Sequence, residues 1–173
     1  MSDPAVLAET SVRTDDRIRA WIEDTYERED YERSDDGLAM LAAFREELNA
    51  GQVRAAEPVQ GHWRACAWVK KGVYLHRALG RLVPAEAGCF ELDTLAPRTV
   101  SRIEDVRVPS TAAVIRDGVY LAPGVSCMPP SFVNIGAWVG RDTVLDSHVL
   151  VGACAQIGER VQIGCGAQVG GHI

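Results

Sequence analysis

Broken every six residues, positions 115–173 read IRDGVY LAPGVS CMPPSF VNIGAW VGRDTV LDSHVL VGACAQ IGERVQ IGCGAQ VGGHI. Each block opens on an apolar residue: Ile115, Leu121, Cys127, Val133, Val139, Leu145, Val151, Ile157, Ile163 and Val169. Four places later stand Val119, Val125, Ser131, Ala137, Thr143, Val149, Ala155, Val161, Ala167 and Ile173, nearly all small or β-branched. A period of six does not follow one face of a 3.6-residue helix. It is the signature of a parallel β-helix, in which each hexad supplies a strand and a corner and three hexads close a coil of about 18 residues. The leading aliphatic should point into the prism and stack on its equivalent one coil later, with the small residue beside it. Glycine follows the aliphatic at Gly140, Gly152, Gly158, Gly164 and Gly170, where it is expected to supply corner angles that a Cβ would forbid.

The chain before the repeat has a different pattern. A helix is expected from an N-cap at Thr14, with Asp15 and Asp16 in its first turn and Ile18, Trp21, Ile22 and Tyr26 as its apolar stripe. A second carries Leu38, Leu41, Phe44 and Leu48 on one side and stops at Gly51. Residues 54–59 and 62–68 flank Gln60-Gly61, the mark of a two-residue hairpin turn. A third helix is expected over residues 69–79, closed by Gly80, with Lys70 and Lys71 as a solvated pair near its start. Residues 81–106 read as irregular. The expected fold is mainly β with an α/β N-terminal part: a small α/β domain over residues 1–106, then a left-handed parallel β-helix over 107–173. The repeat stops in mid-hexad with no cap over its last strands. The β-helix is therefore expected to be incomplete at its C-terminal end, shortened or covered by a second chain.

Composition narrows the function classes. The chain has 173 residues, 47% of them hydrophobic, and a net charge of −6, which argues against a general nucleic-acid binder. It has no apolar run of about 18 residues, so no membrane span is expected, and residues 1–8 lack a secretory pattern. Five scattered cysteines, Cys66, Cys89, Cys127, Cys154 and Cys165, show no metal-type pairing and suit reduced thiols in a cytoplasmic protein. A zinc enzyme on this fold would need histidines from neighbouring coils. His148 and His172 lie 24 apart, off the coil spacing, so no metal is expected.

One residue breaks the repeat where chemistry could sit. Asp146 follows Leu145 at the place where five other hexads carry glycine. A carboxylate there can orient an amine and help remove its proton, or it can be a solvated corner residue.

The sequence also resembles the tetrahydrodipicolinate N-succinyltransferases, hexapeptide acyltransferases of lysine and diaminopimelate synthesis. The matching residues are Gly51-Gln-Val-Arg-Ala-Ala-Glu57, Trp68-Val-Lys-Lys71, Arg107-Val-Pro109 with Ala112-Ala-Val114, Met128-Pro-Pro-Ser-Phe-Val-Asn-Ile-Gly-Ala-Trp138 and Gly152-Ala-Cys-Ala-Gln-Ile-Gly158. The resemblance implies a homotrimer with sites between neighbouring β-helices. There an acyl group passes from succinyl-CoA or acetyl-CoA to the amine of a dicarboxylic amino acid. By the same resemblance Arg107 matches an arginine that holds an acceptor carboxylate, and Asp146 an aspartate that contacts the acceptor amine. The family usually has Thr-Trp-Ala-Thr next; this chain has Ser147-His148-Val149-Leu150. His148 thus stands at the tryptophan position, and it matches in kind the general base of other hexapeptide acyltransferases. That changed block also suits a non-catalytic trimeric scaffold, and the short repeat suits one half of an enzyme completed by a second chain. The residues that would hold CoA are not identified.

Overall fold

The computed structural model describes residues 16–29, 31–85, 88–99 and 103–170. Three helices come first: α1 (Asp16–Arg28), α2 (Asp35–Asn49) and α3 (Ala67–Leu79). Thr14, the expected N-cap of α1, lies outside the described residues. Ser34 caps α2, its hydroxyl accepting from the Gly37 amide at 3.1 Å, which satisfies one of the orphan donors of the first turn. The strands β1 (Ala56–Val59) and β2 (His62–Ala65) pair antiparallel, and Gln60 and Gly61 both have positive φ, the backbone of a type I′ turn. Residues 82–84 and 90–92 correct the expectation of an irregular stretch. Here β3 (Leu82–Pro84) and β4 (Phe90–Leu92) form a second hairpin.

The helices close on Phe44, which is fully buried with its ring centroid 5.6 Å from Trp68 and 5.9 Å from His76. Gly72 sits in the middle of α3 because a Cβ there would meet the Phe44 ring at 2.6 Å. The helix loses about 1 kcal/mol of propensity at that glycine and gains the close approach of α2. His76 is also fully buried. Its Nδ1 lies 3.0 Å from the Gly72 carbonyl, so Nδ1 carries the proton. Burial pushes the imidazole down to about 4, with Arg45 adding to the effect, while the Gly72 and Leu41 carbonyls and Asp117 oppose it.

That shift predicts a pH dependence. The folded value lies below the unfolded value of about 6.5, so His76 contributes stability above pH 6.5 that is lost as pH falls toward 4. The loss is of the order of 2–3 kcal/mol. Urea melts at pH 7.5 and 4.5 should show it, and the difference between wild type and His76→Asn should account for it. An equal pH response in both proteins would refute the assignment.

The repeat forms three parallel sheets. The first contains β7 (Ser126–Cys127), β10 (Val144–Leu145) and β13 (Gln162–Ile163). The second contains β5 (Ala113–Ile115), β8 (Ser131–Val133), β11 (Leu150–Val151) and β14 (Gln168–Val169), and the third β6 (Tyr120–Leu121), β9 (Trp138–Val139) and β12 (Gln156–Ile157). The register is eighteen residues throughout: Cys127 pairs with Leu145 and Leu145 with Ile163. The leading residues from Ile115 to Ile157 are buried, while Ile163 and Val169 are partly so. The two hydroxyls inside the prism are satisfied. Ser131 Oγ lies 3.0 Å from Cys127 Sγ, and Thr143 Oγ1 donates to the Gly158 carbonyl at 2.9 Å.

The corners differ from the expectation. Left-handed backbone falls three residues after the leading aliphatic, at Gly118, Gly124, Gly136, Asp142, His148, Cys154, Arg160 and Gly166. Gly140, Gly158, Gly164 and Gly170 do not adopt it. Gly140 instead serves close approach between coils: a Cβ there would meet the Gly158 carbonyl carbon and oxygen at 2.6 Å.

The helices join the β-helix at the corner between its second and third sheets. Ile135 and Ala153 belong to the helical core. Asn49 donates to Asp117 at 2.7 Å and accepts from the Gly118 amide at 2.8 Å, and Arg45 Nε lies 2.9 Å from Asp117. Arg54 stacks on Trp138, 3.7 Å from the ring centroid, and donates to Gln156 at 3.0 Å. The first sheet and its corner with the second carry none of these contacts.

Candidate functional site

Arg107 begins the prism as an extra rung below β7. It bridges Ser126 in parallel, donating to the Val125 carbonyl and accepting from the Cys127 amide, each at 2.9 Å. Its column on the first sheet is therefore Arg107, Ser126, Val144 and Gln162. Cys127 and Leu145 of the next column are buried while Ser126 and Val144 are half-exposed, so the Arg107 column faces outward. With strands about 4.8 Å apart, the Arg107 backbone lies two rungs, roughly 10 Å, below Val144.

Asp146 follows β10 at the corner between the first and second sheets. Its Oδ1 accepts from the Ser147 amide at 2.7 Å, and its own amide donates to the Ile163 carbonyl at 3.0 Å. The carboxylate is thereby fixed through one oxygen. It is half-buried, and it has no ion pair among the described residues. Asn134 makes the same turn, Oδ1 to the Ile135 amide at 2.9 Å, so part of what Asp146 does is structural. Directly below it in register lies Met128, whose Sδ is 3.3 Å from Arg107 Nη1. The guanidinium has thus reached the column of the carboxylate, one rung beneath it. Arg107 is exposed and has no carboxylate partner among the described residues.

His148 occupies the left-handed corner position with φ 63°, exposed, its amide donating to the Pro130 carbonyl. It shares the Asp146 corner, between Pro130 below and Gly166 above. His172, the other histidine of the repeat, lies outside the described residues.

One face thus brings together a fixed carboxylate, a guanidinium a rung below it and an imidazole on the same corner as the carboxylate. An anion and a cation on neighbouring rungs can hold an amine and a carboxylate of one small molecule. Met128 was missed in the sequence as part of this wall, although it lies one eighteen-residue step before Asp146. Arg107 lies nineteen residues before its partner Ser126, so hexad counting does not place it.

Comparison with known proteins agrees with this architecture. A family profile described as "Tetrahydrodipicolinate N-succinyltransferase N-terminal" matches residues 17–79, the three helices and first hairpin. A 2,3,4,5-tetrahydropyridine-2,6-dicarboxylate N-succinyltransferase of Methylorubrum extorquens (strain PA1) is 34% identical over 166 residues, covering 87% of this chain and 59% of that protein. The chain is similar to the tetrahydrodipicolinate N-succinyltransferases over most of its length. Its like-named relative in Idiomarina loihiensis is 33% identical, over 90% of this chain and 60% of that protein. The one in Acinetobacter baylyi is 38% identical, over 72% of this chain and 47% of that protein. The chain spans about three-fifths of the length of the first two relatives. The alignments with the first two relatives take in 87% and 90% of this chain and so run from the helical unit into the β-helix, whereas the family profile matches the helical unit and first hairpin alone. No helix among the described residues is long and apolar enough to cross a membrane.

Proposed function

We propose that this chain serves an acyl-CoA-dependent N-acyltransferase reaction, with succinyl-CoA as the donor rather than acetyl-CoA. The acceptor would be the amine of a tetrahydrodipicolinate-like amino dicarboxylate. The observation that carries the reading is the convergence of Arg107 and Asp146 on one outward face. Arg107 holds an acceptor carboxylate in its fork. Asp146 holds the amine through the carboxylate oxygen that Ser147 does not occupy. As the amine nitrogen attacks the thioester carbonyl, the C–N bond forms and the C–S bond breaks. The amine proton passes to Asp146 or His148 and then to the leaving thiolate. The succinyl group and the acceptor class are inferred from the relatives, which are 2,3,4,5-tetrahydropyridine-2,6-dicarboxylate N-succinyltransferases by name.

The test is a free-thiol assay with succinyl-CoA or acetyl-CoA and tetrahydrodipicolinate. Thiol release should depend on the acceptor, be faster with succinyl-CoA, and fall by about 10²-fold or more in Asp146→Ala. CoA binding with no release, equal in wild type and Asp146→Ala, would refute the reading and favour the scaffold.

Arg107 and His148 lie open to water, and acyl transfer needs water excluded. Beyond the His148 corner the second sheet presents Val114, Phe132 and Leu150 stacked in register, with Val114 36% and Leu150 41% exposed. This column supports a homotrimer in which a neighbouring copy covers the site. Phe132→Asp with Leu150→Asp should reduce the solution mass to that of one 18.8 kDa chain, as measured by sedimentation equilibrium. An unchanged assembly would exclude this face as the interface.

A further inference from the structure

The Arg107 guanidinium is exposed, yet one of its donors is already engaged: Nη1 donates to Met128 Sδ at 3.3 Å. Met128 is held in place by the rungs on either side of it. The Cys127 amide beside it donates to the Arg107 carbonyl at 2.9 Å, and its own amide donates to the Leu145 carbonyl at 2.8 Å. The half-buried thioether therefore stands on the rung between Arg107 and Asp146.

The kind of acceptor matters. A free arginine side chain loses rotamer freedom when it takes a ligand, and the contact with Sδ removes part of that freedom beforehand. A carboxylate on this rung would do so too, but it would take the guanidinium in a two-pronged pair and compete with a ligand's carboxylate. A thioether is a weak and neutral acceptor. It engages Nη1 alone, so the positive charge is not quenched and the Nε–Nη2 edge stays whole. That edge offers two parallel N–H donors to one carboxylate.

We propose that Met128 is a positioning residue: its thioether holds the Arg107 guanidinium one rung below Asp146 without neutralising it, and so presents the Nε–Nη2 edge to a carboxylate of the amino dicarboxylate. The inference rests on the acyl-transfer reading of this face and adds how its arginine is aimed. Sulfur serves here as an acceptor rather than as apolar bulk, which separates this role from packing.

The test measures binding of 2-aminopimelate, an amino dicarboxylate, to the full chain by isothermal titration calorimetry. No acyl-CoA is present, so binding is read apart from turnover, and circular dichroism melts check that each variant is folded. Arg107→Ala should weaken binding by about twentyfold or more, as for loss of hydrogen bonds between charged groups. Met128→Leu keeps the bulk, removes the acceptor and should weaken binding by about fivefold. Met128→Gln supplies a neutral amide oxygen instead and should stay within about twofold of wild type. A packing role gives the reverse order, with Leu tolerated and Gln not, and would overturn the proposal. Binding weakened in Arg107→Ala but equal in wild type and Met128→Leu would overturn it while leaving the reading of Arg107 intact. No binding by wild type, or none lost in Arg107→Ala, would remove both.

Discussion

Gly140→Ala should cost the β-helix at least about 3 kcal/mol, at the upper end for one added methyl group in a packed interior. The new Cβ would lie 2.6 Å from the Gly158 carbonyl carbon and oxygen and 2.7 Å from the Glu159 amide nitrogen, against about 3.5–4.0 Å for an unstrained carbon contact. Neither side can yield cheaply. The Gly140 amide donates to the Ile157 carbonyl at 3.0 Å, and Thr143 holds the Gly158 carbonyl at 2.9 Å. Opening the gap therefore breaks the ladder between β9 and β12. Hydrogen exchange should show protection lost from residue 140 onward and kept in the three helices. Gly164→Ala is the control, because no atom lies within 4 Å of its Cβ position. It should change stability by no more than about 0.5 kcal/mol. Equal effects of the two substitutions would refute the close-approach reading.

Phe44→Ala should remove about 3–5 kcal/mol from the helical unit. The ring is fully buried and fills the space that Gly72 leaves open, touching Trp68 and His76. The glycine opposite has no side chain to collapse into that space, which leaves Ile22, whose Cδ1 also borders Gly72, as the neighbour able to fill part of it. The melting temperature of the helical signal should fall by on the order of 10 °C. A drop below about 1 kcal/mol in denaturant would show that α2 and α3 repack freely. The companion substitution Gly72→Ala, made in the Phe44→Ala background, should recover part of the loss, because its methyl group then enters the vacated volume.

The hexad spacing made the prism legible before any coordinates, because one aliphatic per six residues has only one interior to fill. The first two helices were legible from their apolar stripes, the third from its closing Gly80, and the first hairpin from Gln60-Gly61. The function of the glycines was not. Sequence shows where glycine stands but not which of two physical needs it meets. Gly140 meets close approach, while left-handed backbone falls two residues later and is there often carried by side chains. The second hairpin escaped notice because Leu82 and Phe90 are 71% and 69% exposed, so its strands lack a buried face and any alternation to read. Of the candidate site, Asp146 could be found as an exception to the repeat. Its neighbour Arg107 could not be placed by counting, because one extra residue shifts its rung.

The left-handed corners have a consequence for motion. Four successive such positions, Asp142, His148, Cys154 and Arg160, carry side chains, while Gly118, Gly124 and Gly136 precede them. A residue with a Cβ held there stores about 1–2 kcal/mol relative to glycine. The coil that bears Asp146 and His148 is thus the least relaxed part of the prism, and its amides should open to solvent at lower free energy than those of the coil beneath. His148→Gly should slow that opening while it removes the imidazole. Breathing of the coil and proton transfer at the corner would then both fall, and His148→Ala, which removes the imidazole but keeps a Cβ at the left-handed corner, would separate them.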